Sequence, residues 1–424
     1  MNIKSRLHHQ THLTRIGIVG IGSMGKGIVF QSLITPGIKC VAVADIDIKK
    51  CINSLESTGQ DYKIVHTIME MHTAIEDGAV AICEDGELLA RCGMVDILVE
   101  ASNSIIPAAQ FAITALRHNK HLILVNSEID LIFGPYLLQL ALQNNLIYTS
   151  CDGDQYGVIK HLIDEIQFWG FQLVMAGNMK GFLNRYANPT TIIPKADKRN
   201  LDYRMCTSYT DGTKLCIEMA LVANAFNLHT VTSGMNGPPA RYVQDVLQCF
   251  NLEELWKERL PFVDYVLGAQ PGGGVFVVGH CDNAYQRTML EYYKMGKGPY
   301  YVFYRPYHLC HIEALATVKA VEKGEALMQP SYGFRTNVYA YAKRNLRCGE
   351  ILDGIGGYTC YGLIENREDN IVSPGLPICL ADDVVIKKEV EKDQKIFLGD
   401  IEYRHDRFDY QLFFQATSGT MESV

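Results

Sequence analysis

The sequence predicts an α/β protein. A doubly wound parallel sheet comes first, then a central α+β part, then a small all-β module. Three observations carry this reading. Strand-like and helix-like stretches alternate from Arg15 to about Thr149, the pattern of β-α units on a parallel sheet. Residues 151–330 mix long helices with short strands and Gly-rich turns. Residues 331–424 are strand-rich and punctuated by turns such as Gly354-Ile355-Gly356-Gly357 and Ser373-Pro374-Gly375. The expected parts are therefore 1–150, 151–330 and 331–424.

The first element is the apolar strand Ile16-Gly17-Ile18-Val19, which runs into Gly20-Ile21-Gly22-Ser23-Met24-Gly25. Lys26–Leu33 can form a helix, and a second strand, Cys40–Ala44, ends at Asp45. This strand, glycine turn, helix and acidic strand end form the context of a dinucleotide fingerprint. Gly20 permits the tight turn, Gly22 lets backbone approach a diphosphate, and Gly25 lets helix pack close to strand. Ser23 and Met24 open the helix, whose free N–H groups and positive dipole end suit phosphate. Asp45, twenty residues past Gly25, can accept from ribose hydroxyls. The expected ligand is NADH or NADPH on a Rossmann-type domain.

Further strands are expected at Ala79–Cys83, Val95–Val99, His121–Val125 and Leu146–Tyr148. Helices are expected at Ile48–Ser57, Ile105–Arg117 and Pro135–Gln143. Ligands on such sheets bind beyond the carboxyl ends of the strands. The tips Glu100-Ala101-Ser102-Asn103 and Asn126-Ser127-Glu128 should thus face the nicotinamide half. Ala101, Ser102 and Asn126 are taken as cofactor residues and Glu128 as a catalytic candidate. In the middle, Thr213–Phe226 reads as a mostly buried helix, and Arg305–Gly324 as a helix that returns to the first part.

Composition narrows the function classes. A chain of 424 residues is long for one core. A net charge of −8 argues against nucleic acid as a partner. No apolar run reaches the roughly 18 residues of a membrane helix. The stretch Met1–Thr14 is polar and lacks the apolar core of a signal peptide. Thirteen scattered cysteines read as reduced thiols of a cytoplasmic protein rather than a disulfide framework. No Cys-x-x-Cys occurs, and neither histidine nor carboxylate spacing clearly marks a metal site, so no metal ligand is assigned.

The densest polar cluster is Tyr209-Thr210-Asp211-Gly212-Thr213-Lys214, followed by Glu218 and Asn224. Asp211 or Thr213 can cap a helix. Lys214 and Glu218 share one helical face with apolar flanks. A lysine beside a carboxylate can polarise a substrate carbonyl or move a proton. Lys214, Asp211 and Glu218 are the catalytic candidates, weighed against an ordinary surface pair. Asn178–Pro189 contains Lys180, Asn184 and Arg185, which could bind an anionic group such as phosphate, or form a solvated loop. Together with Asn224 they are the substrate-binding candidates. His280, His308 and His311 read as structural histidines before catalytic ones.

Several segments resemble one family. They are the glycine fingerprint, Val99-Glu100-Ala101-Ser102, Asn126–Asp130 with Gly134–Leu137, Cys151-Asp152-Gly153-Asp154-Gln155, Thr210–Lys214, Tyr300–Leu309 and Lys343–Tyr358. The family is the homoserine-dehydrogenase-like oxidoreductases with a C-terminal SAF domain, a β-clip, and the resemblance covers nearly the whole chain. It implies NAD(P)-dependent oxidoreduction of a small molecule, with Lys214 matching the lysine such dehydrogenases use. Its best understood branch, the 1-deoxy-D-xylulose 5-phosphate reductoisomerase-like enzymes, makes 2-C-methyl-D-erythritol 4-phosphate with NADPH for isoprenoid synthesis, rearranging the ketose skeleton before the hydride arrives. Asp45 departs from that branch, because a carboxylate repels a 2′-phosphate and favours NAD, although Lys49 and Lys50 lie close. The expected protein is a homo-oligomer, in its simplest form a homodimer, acting on a small phosphorylated or polyhydroxy carbonyl compound. A homoserine or sugar-alcohol dehydrogenase without rearrangement is the alternative enzyme; a cofactor-binding sensor or scaffold is the alternative of another class. The need for a divalent metal is left open.

Overall fold

The computed structural model describes residues 13–199, 201–367 and 373–418. The polar N-terminal stretch lies, up to residue 12, outside them. Contacts divide the chain into two compact units. One is the chain up to Gly157 with Leu309–Gln329; the other is Val158–His308 with Pro330–Ser418.

The first unit is built on seven strands: β1 Thr14–Val19, β2 Ile38–Ala44, β3 Tyr62–Ile64, β4 Val80–Cys83, β5 Ile97–Glu100, β6 His121–Leu124 and β7 Tyr148–Ser150. Their order is β3-β4-β2-β1-β5-β6-β7 and every pairing is parallel. The strands read as unbroken apolar runs because both faces are covered. Ile28 and Val29 of the helix Ser23–Ile34 pack there with Ile16, Ile18, Val43 and Ile82. Leu315, Val318 and Val321 of the helix Cys310–Glu322 join the same core. This is the returning helix; it starts at Cys310 rather than Arg305, because β12, Tyr300–Arg305, and then Pro306 occupy the expected first turn.

Four other elements differ from the sequence reading. Strand β3 and the helices Ile68–Glu76 and Gly86–Arg91 were not expected. The helix expected from Pro135 begins at Ser127, because Asn126 Oδ1 accepts from the N–H groups of Glu128 and Ile129 and caps it there.

The second unit contains a mixed sheet. Its strands are β8 Gln172–Lys180, β9 His229–Thr230, β10 Phe262–Leu267, β11 Val275–His280 and β12, in the order β12-β11-β8-β10-β9. The Asp264 carboxylate of β10 is buried and accepts from the N–H groups of Asn236, Gly237 and Tyr265, fixing the turn at Met235–Gly237. The helix Thr213–Phe226 forms as expected and is buried from Thr213 to Ala225. It ends at Asn227, whose φ of 58° is left-handed.

The C-terminal strands belong to this unit. β13 Thr336–Ala342 pairs with β15 Cys360–Asn366; β14 Ile351–Asp353, β16 Asp382–Ile386 and β17 Ile401–Glu402 form a three-stranded antiparallel sheet. A helix, Phe408–Ser418, follows. Among the described residues no helix is long and apolar enough to cross a membrane, and the thirteen cysteines form no disulfide.

Candidate cofactor and catalytic sites

Strand order reverses between β1 and β5, which leaves a crevice at their carboxyl ends. The glycine turn lies there. Gly20 has a φ of +90°, and a Cβ on it would stand 2.5 Å from Ser102 N, so two loops touch at this point. A Cβ on Gly25 would stand 1.9 Å from Gly20 O; only glycine lets the helix come so near the turn. A Cβ on Gly22 would meet nothing within 4 Å. Gly22, Ser23 and Met24 thus present backbone at an open helix N-terminus. The arrangement fits the diphosphate of a dinucleotide.

Asp45 does more than the sequence indicates. Its Oδ2 accepts from Ile21 N at 2.7 Å and its Oδ1 from Asp47 N at 2.9 Å, so it tethers the glycine turn to the end of β2. Lys50 Nζ is 3.9 Å from the same carboxylate. Asp45→Ala should therefore weaken both cofactors by loosening the turn, and weaken NADH more, because the charge repelling a 2′-phosphate is gone. The ratio of the NADPH to the NADH dissociation constant should fall about tenfold. An unchanged ratio would remove Asp45 from cofactor choice.

The loop after β5 is held by Glu100, which the sequence places at the strand tip without a role. Glu100 is fully buried and its Oε1 accepts from Ser102 N at 2.9 Å. Ser102 Oγ lies 2.9 Å from Ser104 Oγ, and Asn126 Nδ2 donates to Ser104 O at 2.7 Å. Ala101 N donates to Val19 O at 2.8 Å. Glu128 is buried and accepts from Ser127 Oγ at 3.1 Å. Burial, opposed by the hydrogen bonds from Ser102 and Asn126, pushes the Glu100 carboxyl up to about 8.

The native state therefore keeps a proton that the unfolded chain loses near the ordinary carboxylate value. Between about pH 4.5 and 8 the native state binds more protons, so this group's contribution to stability falls as pH rises. Glu100→Gln keeps the acceptor and cannot ionise. Its melting temperature, relative to wild type, should rise steadily across that window. A difference independent of pH would show that Glu100 does not titrate there.

Three of the four catalytic candidates, Asp211, Lys214 and Glu218, gather in the second unit. Gly212, at φ 89°, joins the helix Tyr203–Asp211 to the helix Thr213–Phe226. Asp211 Oδ1 accepts from Thr213 N at 2.8 Å, and its Oδ2 lies 2.9 Å from Lys343 Nζ. Lys343 also donates to Ala187 O at 2.7 Å and Gly357 O at 2.8 Å. Asp211, fully buried, is thus the partner of a lysine from the C-terminal strands. In this structure it is a group that sets the helix end. Burial raises its carboxyl and Lys343 opposes the shift.

Lys214 and Glu218 lie one turn apart and are 6% and 3% exposed, so they are not a surface pair. The half-buried Lys180 donates to Tyr209 O at 2.7 Å. Burial lowers its ammonium; Glu218 raises it, Lys195 lowers it and Asp211 raises it, so all three lie within electrostatic reach. Lys195 donates to Thr210 Oγ1 at 3.1 Å. The end of the helix Tyr203–Asp211 thereby carries two lysines on its last carbonyl and hydroxyl groups, where a dipole's negative end favours cations. Arg185 is half-buried with its guanidinium carbon 5.7 Å from the Tyr361 ring centre. Asn184 is exposed and accepts from Tyr186 N at 3.1 Å within its own turn. Asn224 is buried, and its Oδ1 accepts from Thr336 N at 2.8 Å. Lys195 and Lys343 escaped the sequence reading because neither belongs to the cluster in sequence.

Residues 153–314, which include this cluster, match the family described as oxidoreductase DRL, catalytic domain. The middle of the chain is thus similar to an oxidoreductase catalytic domain. Among solved structures it is similar to a probable dehydrogenase from Thermotoga maritima (12% identity; 74% of this chain and 90% of that one; TM-score 0.40). It is also similar to scyllo-inositol dehydrogenase from Lactobacillus casei, solved with NAD(H) and scyllo-inositol (15%; 63% and 73%; 0.37). A third is a DOX-P reductoisomerase in complex with magnesium (14%; 49% and 56%; 0.35). No curated protein matches the chain by sequence.

Proposed function

We propose that the chain is an NAD(P)-dependent oxidoreductase that reduces a carbonyl on a small phosphorylated or polyhydroxy substrate, most concretely 1-deoxy-D-xylulose 5-phosphate to 2-C-methyl-D-erythritol 4-phosphate. The observation that carries the proposal is the buried Lys214–Glu218 helix with Lys180 and Lys195 at its head, inside the stretch that matches the oxidoreductase catalytic domain. Three functional parts, 1–150, 151–330 and 331–424, serve cofactor, catalysis and an SAF-like module.

Gly20, Gly22, Ser23, Met24 and Gly25 hold the cofactor diphosphate, and Asp45, Ala101, Ser102 and Asn126 shape the rest of that site. With the phosphorylated ketose, one carbon–carbon bond breaks as another forms to give a branched aldehyde, and bound NAD(P)H would then supply the hydride that reduces it. The Lys214 ammonium stabilises the alkoxide that develops on the substrate oxygen and can give it a proton. Glu218 keeps Lys214 charged despite its burial. Lys180, Lys195 and Arg185 attract the phosphate or another anionic group. Glu128 is the second candidate for proton transfer. The chain acts in the cytoplasm as a homo-oligomer on a small molecule.

NAD(P)H oxidation, followed with 1-deoxy-D-xylulose 5-phosphate, with homoserine, with sugar-derived ketones and with no addition, tests the proposal. Turnover with the phosphorylated ketose supports it. Turnover only with another carbonyl compound moves the substrate to a plain dehydrogenase. Cofactor binding without turnover on any of them contradicts an enzyme and leaves a sensor.

A further inference from the structure

The helix Cys310–Glu322 lies beside the glycine-turn helix Ser23–Ile34, in the same unit and the same core. Two contacts give its direction. A Cβ on Gly27 would stand 2.4–2.7 Å from the Cγ, Cδ2 and Cβ of His311. Lys319 Nζ reaches Gly37 O at 3.5 Å, beyond the other end of the glycine-turn helix. The two helices therefore run parallel, and both N-termini point toward the carboxyl edge of the sheet. The loop after β7 closes on the same end: a Cβ on Gly153 would stand 2.5 Å from Cys310 O and 2.9 Å from Glu313 Cβ.

The His311 side chain thus packs against bare backbone at Gly27. Gly27 is four residues past Ser23, so it sits on the face of Ser23 about 6 Å down the axis. An alanine at Gly27 would push the ring away. The ring is half-exposed, and among the described residues neither of its nitrogens has a hydrogen-bond partner. A half-exposed imidazole seated within one turn of free helix N–H groups is placed to donate to an anion that those groups hold.

We propose that His311 is a cofactor-binding residue, donating a ring N–H to the diphosphate of the dinucleotide on the nicotinamide side. That side follows from the returning helix itself, which packs against β6 and whose Thr317 Oγ1 accepts from Asp152 N, just after β7, at 2.8 Å. The inference rests on the dinucleotide reading of the glycine turn. Gly27 is then the residue that gives His311 its seat.

Fluorescence titration of the full chain with NADH and NADPH tests it. His311→Phe keeps a ring on Gly27 and removes both nitrogens. It should weaken binding about tenfold, the usual worth of a hydrogen bond to a charged group, with little change in melting temperature. His311→Gln, which keeps an N–H donor, should retain most of the affinity; a packing role would not distinguish it from His311→Phe in this way. Gly27→Ala should weaken binding by displacing the ring, and adding His311→Phe to it should cost little more. Wild-type affinity in His311→Phe, while Gly22→Val has lost binding, would overturn this inference alone. Wild-type affinity in both would overturn the dinucleotide reading as well.

Discussion

Lys214→Met is expected to lower turnover about a hundred- to a thousandfold, the usual result of removing one preorganised donor to a developing oxyanion. NAD(P)H affinity should be unchanged. The variant keeps most of the side-chain length and loses only the charge. Glu218 stays within electrostatic reach of Lys180, so it is not stranded without a cation, and the melting temperature should fall by only a few degrees. An exposed i,i+4 pair would contribute only about 0.2–0.5 kcal/mol to the helix and nothing to chemistry. The burial of both residues argues against that alternative. Near-normal turnover in the Met variant, on a substrate the wild type reduces, would remove Lys214 from the reacting centre.

Substitution in the glycine turn should have an effect as large, on binding instead of turnover. Gly20→Val is expected to abolish cofactor binding. It also strains the protein, because Gly20 is left-handed and its new Cβ would press on the backbone of Ala101 and Ser102. Gly22→Val separates the two effects. Gly22 has an ordinary φ of −74°, and its Cβ would meet nothing within 4 Å. That variant should melt like wild type and still fail to bind NADH or NADPH in a titration. Retained binding would mean that the diphosphate lies elsewhere.

These residues show how much the sequence reveals. The parallel sheet was legible because its strands are covered on both faces and read as apolar runs ending in polar tips. The glycine turn was legible because its residues are consecutive and each glycine has a steric reason. Strand β3, Tyr62–Ile64, was not, since a three-residue edge strand half made of exposed polar surface carries no period. Pro135 misled the helix boundary: proline usually opens a helix, yet here it sits inside one that Asn126 caps nine residues earlier.

The catalytic cluster was half legible. Asp211, Lys214 and Glu218 stand together in sequence, and a helix of period 3.6 brings the last two to one face. That Asp211 is bound by Lys343 could not be read, because the lysine follows β13, far along the chain. Asn224 looked like part of the same polar group, but the helix turns it toward Thr336. His311 and Gly27 are joined only by the parallel packing of two helices separated by the whole second unit's main segment.

The most direct measurement of the central claim is hydride transfer itself. Wild type and Lys214→Met would be given deuterated NAD(P)H and 1-deoxy-D-xylulose 5-phosphate, with a panel of related carbonyl compounds, and products analysed by mass. The account predicts one deuterium in the alcohol product of the wild type and a rate lower by about a hundredfold or more in the variant. Deuterium transfer at equal rates in both proteins, or no transfer to any carbonyl compound by a wild type that binds the cofactor, would contradict it.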